Sequence, residues 1–144
     1  MDFTAKMFEE LTLDELYAVI KARLKVFVVE QGSVYLDLDG VDKESLHVFS
    51  LDSDGECTAY MRAYPHGQDT VKIGRVLTVR RGERLGGRLL RFGMDAVIER
   101  FSPKKLYIES QTHAVGFYER EGFRVVSEEF DIDGIPHVRM ELEL

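Results

Sequence analysis

The chain has 144 residues, 44% of them hydrophobic and 31% charged, with three prolines and one cysteine. That composition excludes disordered and fibrous classes and suits one domain, residues 1–144, with a hydrophobic core. The lone Cys57 excludes an intrachain disulfide and a multi-thiolate metal site, and no apolar run approaches the ~20 residues that span a bilayer. The formal charge of −7 argues against a general nucleic-acid binder, and the acidic N-terminal stretch lacks a cleavable apolar segment, so the expectation is a cytoplasmic protein without membrane or nucleic-acid partners. The charge is unevenly spread: between Arg75 and Lys105 nine basic residues face three acids, giving +6 there and −13 elsewhere. An anion held in the middle of an acidic protein is one reading of that pattern.

Residues 3–8 read as a short edge strand. Thr12-Leu13-Asp14-Glu15 has the form of a capping box, and Leu13, Leu16, Tyr17, Ile20, Leu24, Phe27 and Val28 follow at helical spacing, predicting a helix over 13–29. Residues 31–46 read as an irregular loop. Its Asp37, Asp39, Asp42 and Glu44 hint at a hard cation but lack the spacing of a calcium loop, so a solvated acidic loop is expected. Strands at 47–51 and 57–64 flank Asp52-Ser53-Asp54-Gly55, a hairpin signal. Residues 70–79 are rich in β-branched side chains and predict another strand. Leu89, Leu90, Met94, Val97, Ile98 and Phe101 mark an amphipathic helix over 86–101, stopped by Ser102-Pro103. A short buried strand at 106–108, a helix at 114–121 capped by Gly122, and a hairpin of 123–130 and 138–144 around Asp133-Gly134 complete the chain. This order predicts a mixed α/β (α+β) fold, with a mostly antiparallel sheet, flanking helices and one parallel crossover.

The segment from Val76 to Gly87 joins a strand to a helix through a glycine-containing turn. The first turn of a helix offers unpaired N–H groups and the positive end of the macrodipole, glycines let a diphosphate approach the backbone, and Arg81, Arg84 and Arg88 add charged donors. The P-loop and dinucleotide-binding patterns are both absent. The alternative is a strand–helix turn whose arginines simply face water.

Val76 to Gly86 is similar to the signature of the GNAT acyltransferases (Val, four residues, Arg or Gln, then Gly-x-Gly-x-Gly/Ala), with Arg84 at the usual middle glycine. Gly116-Phe117-Tyr118-Glu119-Arg120-Glu121-Gly122-Phe123 resembles the FYxxxGF of the same superfamily. Leu16-Tyr17, Arg23, Val26 to Gln31, Asp39-Gly40-Val41-Asp42, Ile73-Gly74-Arg75-Val76 and Gly134-Ile135-Pro136-His137 look like its ElaA-type branch, in which a basic residue at position 84 is usual. The connection from Gly74 to Gly82 is shorter than in that branch.

The resemblance implies a GNAT fold whose sheet is splayed in the middle, between 74–79 and 106–110, with acetyl-CoA lying in the gap as co-substrate. It implies CoA contacts at Leu77, Thr78, Val79, Arg81, Gly82, Arg84, Leu85, Gly86 and Gly87, and at Gln111 and Tyr118. An amine, of a small molecule or a peptide, attacks the thioester directly, with the acetyl oxygen polarised by a backbone N–H near Leu77 and the leaving thiolate protonated by Tyr118. Tyr118 has a plain alternative as a core aromatic, and Gln111 as a surface side chain. For the base, Glu30, His47, Glu109, His113, His137 and a water chain all stand open, and Arg23 and Glu30 could pair with each other or meet substrate. No metal is implied, and Cys57 reads as a buried inert thiol. Edge strands in this fold often pair, so a homodimer is compatible. The competing function is a non-catalytic acyl-CoA-binding module with the same fold.

Overall fold

The computed structural model describes residues 2–79 and 84–144. Among these, eight strands form one sheet: β1 (Thr4–Met7), β2 (Leu46–Leu51), β3 (Cys57–Pro65), β4 (Thr70–Thr78), β5 (Lys105–Gln111), β6 (Arg124–Val125), β7 (Phe130–Ile132) and β8 (Ile135–Glu143). The order is β1-β2-β3-β4-β5-β8-β6, with β7 also on β8. Neighbours run antiparallel except β4 and β5, which the crossover helix α2 (Leu85–Phe101) joins in parallel. The mixed, mostly antiparallel sheet is thus the one the sequence predicts.

Helix α1 (Leu13–Arg23) opens with the predicted capping box: Glu15 N–H donates to Thr12 Oγ1 at 3.1 Å, and Thr12 N–H to Glu15 Oε1 at 2.9 Å. Lys6 of β1 clamps the same Glu15 carboxylate at 2.9 Å, fixing the helix start to the sheet edge. The helix does not remain α-helical to residue 29. From Leu24 to Glu30 it widens into a π-helical stretch, beginning immediately after the buried Arg23, and π segments of this kind cluster at functional sites. In the β2–β3 turn, Asp52 Oδ1 accepts from Asp54 and Glu56 N–H, and Gly55 supplies the left-handed residue (φ 79°). Among the described residues no helix is long and apolar enough to cross a membrane.

Two cores lie on opposite faces of the sheet. On one, Val48, Met61, Ile73, Ile108, Val138 and Met140 pack with Leu85, Leu89, Leu90 and Val97 of α2 and with Tyr118 of α3 (Val115–Glu119). On the other, Phe49, Cys57, Tyr60 and Leu77 pack with Ala18, Val19 and Ala22 of α1. Cys57 is buried, and desolvation pushes its thiol up to about 12, so it is an inert core residue as the sequence suggests.

Candidate active site

Strands β4 and β5 pair over four positions, from Thr70↔Lys105 to Ile73↔Ile108. Beyond them the strands separate, although β4 runs on to Thr78 and β5 to Gln111. The cause is a bulge. Between the pairs Arg62↔Gly74 and Tyr60↔Leu77, β4 spends one residue more than β3, and Arg75 sits in the left-handed region at φ 52°. Four residues apart on a regular strand, Ile73 and Leu77 would share a face; here Ile73 packs under α2 and Leu77 under α1. The extra residue inverts the strand and twists it away from β5.

A non-glycine residue in this conformation costs of order 1–3 kcal/mol and persists where its surroundings over-determine it. Arg75 is held from the side of the 31–46 loop. Its Nε donates to Asp37 Oδ1 at 2.9 Å, its Nη2 to Asp37 O at 3.2 Å and Asp39 Oδ2 at 3.3 Å, and its guanidinium lies 5.3 Å from the Tyr35 ring centre. Asp37 also accepts from Arg23 Nε at 2.9 Å and Tyr35 Oη at 2.7 Å. Asp42 bridges Arg23 Nη1 at 2.7 Å and Arg62 Nη1 at 2.9 Å, and Arg62 Nη2 reaches Asp39 at 2.7 Å. Three arginines and three aspartates thus form a closed, charge-balanced cluster under the cleft.

This changes three points of the sequence reading. The acidic loop is only partly solvated: Asp39 and Glu44 are exposed, but Asp37 is 2% and Asp42 8% exposed, because arginines from α1, β3 and β4 converge on them. Arg23 pairs with Asp37 and Asp42, not with Glu30. Arg75, counted in the basic segment, neutralises carboxylates and is not free for an anion. The sequence did carry a signal for the cluster, since Arg23 and Arg62 interrupt apolar runs and a buried arginine needs partners. The hydrogen bonds from Arg62 hold Asp39 well below the usual carboxylate range, and for Asp42 the Arg23 and Arg62 guanidiniums outweigh a burial that acts against its charge.

The separated strands open onto a cavity of about 380 Å³. Gly74, Arg75 and Val76 form one wall and Ile108 to Gln111 the other, with Tyr118 and Ala114 at one end and Tyr35, Tyr64, Asp133 and His137 toward the other. Tyr118 packs edge-on against Phe117 and Phe123, as its core-aromatic reading has it, and it also lines the cavity. Desolvation pushes its phenol well above the ordinary value, so it enters the cleft protonated. Gln111 also lines the cavity, its side-chain oxygen 2.6 Å from His113 Nε2.

Of the positions expected at CoA, Arg81 and Gly82 lie outside the described residues. Leu77 and Leu85 have buried side chains and offer only backbone, while Thr78 is the last residue of β4 and Val79, just beyond it, donates its N–H to Thr58 O at 2.8 Å. Arg84 caps α2 in a left-handed conformation (φ 54°). At Gly86 an added Cβ would meet Phe117 Cε1 at 3.3 Å, so this glycine also permits the approach of α3 to α2; at Gly87 it would meet Arg91 Nη1 at 3.2 Å.

The candidate bases separate sharply. His47 is fully buried, its Nδ1 accepting from Tyr60 Oη at 2.6 Å and its Nε2–H donating to Asp42 O at 2.8 Å, and burial depresses its pKa. Glu30 is exposed and outside the cavity lining. Glu109 lines the cavity, but its carboxylate accepts from Lys72 Nζ at 2.9 Å and Tyr107 Oη at 2.9 Å; burial acts against its charge, yet Lys72 draws its pKa below the usual range. His113 is exposed with Nε2 engaged by Gln111. His137 lines the cavity with Nδ1 2.8 Å from Ile135 O.

Residues 15–144 match the family model of the acetyltransferase (GNAT) domain. Over 147 aligned residues the chain is 36% identical to a UPF0039 protein of Schizosaccharomyces pombe, covering 100% of this chain and 98% of that one. The crystal structure of Escherichia coli ElaA superposes with a TM-score of 0.92 at 33% identity, over 99% of this chain and 100% of ElaA. An acyl-CoA N-acyltransferase from Pseudomonas aeruginosa superposes with a TM-score of 0.91 at 34% identity, over 99% of each chain.

Proposed function

The chain belongs to the GNAT acetyltransferase family, and from that premise we propose that it moves the acetyl group of acetyl-CoA to a primary amine by direct attack on the thioester. The observation that carries this reading is the separation of β4 from β5 beside Tyr118 and next to the N-terminus of α2. Past Ile73 and Ile108 both strands have edges free of each other, suited to hydrogen-bond the pantetheine amides as an added strand would. The first turn of α2, Arg84 to Gly87, receives the diphosphate on its N-terminal N–H groups, with Thr78 and Val79 beside it and Arg81 and Gly82 carried over from the family resemblance. A backbone N–H near Leu77 stabilises the oxyanion, and the Tyr118 phenol protonates the departing thiolate. The acceptor enters from the α1 side, where the cavity is walled by Tyr35, Asp39, Tyr64, Glu109 and His137.

Acetyl-CoA is expected to raise the melting temperature, since a ligand that binds only the native state stabilises it. Thiol release is then followed against polyamines, amino acids, aminoglycosides and peptides. Tyr118→Phe should lower turnover by about 10²-fold or more while CoA affinity holds. No melting shift at millimolar acetyl-CoA would sink the reading; a shift without thiol release for any amine would point to a binding module.

A further inference from the structure

We infer that Nε2 of His137 is the base that takes the proton of the acceptor ammonium, an assignment that rests on the acetyltransfer reading above. A thioester in the gap between β4 and β5 is reachable from both faces of the sheet. Tyr118 belongs to the core under α2 and approaches from that face. Ile108, Val138 and Met140 point to the same core, so by the alternation of a strand Glu109, Gln111, His137 and Arg139 point to the opposite face. Gln111 and His137 are register partners, which puts the imidazole across from the last residue of the β5 wall. Acid and base thus approach the opening from opposite faces of the sheet, one toward the leaving sulfur and one on the acceptor side.

The hydrogen bond at Nδ1 decides what His137 is able to do. Ile135 O is an acceptor only, so Nδ1 carries the proton and donates it at 2.8 Å. In the neutral ring Nε2 is then the lone-pair nitrogen, and among the described residues it takes no hydrogen bond. The ring is held by backbone at 8% exposure, with Phe130 of β7 at 6.2 Å between centroids. The ionisable groups nearest it are Glu109 and His113 on the β5 side, Asp133 at the hairpin tip and Arg139 on its own strand, with Asp39 and Lys72 also lining the cleft and Tyr118 at its far end. Of the competing side chains, Glu109 is committed to Lys72 and Tyr107, His113 to Gln111 and His47 to Tyr60 and Asp42, while Glu30 is exposed and outside the cavity lining.

The protons balance as follows. Nε2 of His137 takes one proton from the ammonium, and the neutral amine forms the C–N bond at the thioester carbonyl. As the C–S bond breaks, the sulfur takes the Tyr118 proton, and the second amine proton restores the phenol. His137 releases its proton to solvent, so the products are the amide, free CoA thiol and one proton.

His137→Asn keeps a side-chain donor toward Ile135 O and removes the base. With the amine of that panel giving the fastest thiol release, it should lower kcat/KM by about 10²-fold or more and abolish the acid limb of the pH–rate profile. The KM for acetyl-CoA and the acetyl-CoA melting shift should stay as in the wild type, and added imidazole should restore part of the rate. Nitrogen-15 NMR of the unliganded wild type, which depends on neither the variant's folding nor activity, should show the neutral ring protonated at Nδ1. A variant close to wild type in rate with its acid limb intact, or a ring protonated at Nε2, overturns the assignment. Failure of the wild type to release thiol with any amine would overturn the acetyltransfer reading itself, and the assignment with it.

Discussion

Asp37 holds two guanidiniums at once, Arg23 through Oδ2 and Arg75 through Oδ1, at 2% exposure. Removing one partner of a buried ion pair leaves a bare charge, which typically costs 3–5 kcal/mol. Asp37→Ala is therefore expected to lose about that much in a urea titration, by a lower midpoint at similar slope; a loss under about 1 kcal/mol would mean that water replaces the carboxylate. His47 bears on acid stability. Its folded pKa is depressed by burial, so the unfolded chain binds the proton more readily. Its contribution is complete above about pH 6.5 and declines as pH falls toward the folded value, at about 1.4 kcal/mol per pH unit. Asp39 and Asp42 are also depressed, but as carboxylates they contribute above about pH 4 and lose their contribution below it. Acid unfolding should show two stages, and His47→Gln should flatten the upper stage alone.

At the scale of elements, periodicity located what buried faces dictate. The start of α1, the body of α2, and the hairpins around Asp52 to Gly55 and Asp133-Gly134 follow from apolar spacing and turn residues, and the structure has them. The widening of α1 was not legible, because it begins at Arg23, whose partners come from a loop and not from its own helix. Nor was the bulge, where a glycine (Gly74) lies beside the left-handed position and an arginine occupies it. The same inversion hid the loop: Tyr35, Asp37 and Asp39 turn inward while Val34 and Leu36 face solvent, a strand-like alternation with the usual polarity reversed. Close approach of elements was equally invisible. At Gly93 of α2 an added Cβ would lie 2.6 Å from Met61 Cε of β3. Gly93→Val should cost about 1–3 kcal/mol by overpacking, with Gly93→Ala milder because alanine gains about 1 kcal/mol of helix propensity; circular dichroism melting of the two variants checks the order.

The whole molecule consists of two half-sheets, β1 to β4 and β5 to β8, joined by four register pairs and the α2 crossover. Filling the opening should tie the halves together: acetyl-CoA is expected to slow amide exchange at Gly74 to Val76 and Glu109 to Gln111 while leaving β1 and β2 unchanged. The uneven charge seen in the sequence is also redistributed by folding. Arg75 goes to Asp37, Arg91 to Glu121, Lys104 to Asp69 and Lys105 to Glu141, which leaves Arg84 and Arg88 as the described arginines at the start of α2.

The strand order has a consequence for synthesis. β8 follows β5, β6 and β7 in the chain, yet it pairs with β5 over seven positions and is the partner of both β6 and β7. As the polypeptide leaves the ribosome, β5 is therefore made with one edge bare, and it stays so until residues 135–143 have emerged. Neither β6 nor β7 has a partner before then. The interval exposes a row of unpaired backbone N–H and C=O groups to other nascent chains, and closing it is a single late event that completes the wall of the cleft and the far half of the sheet together.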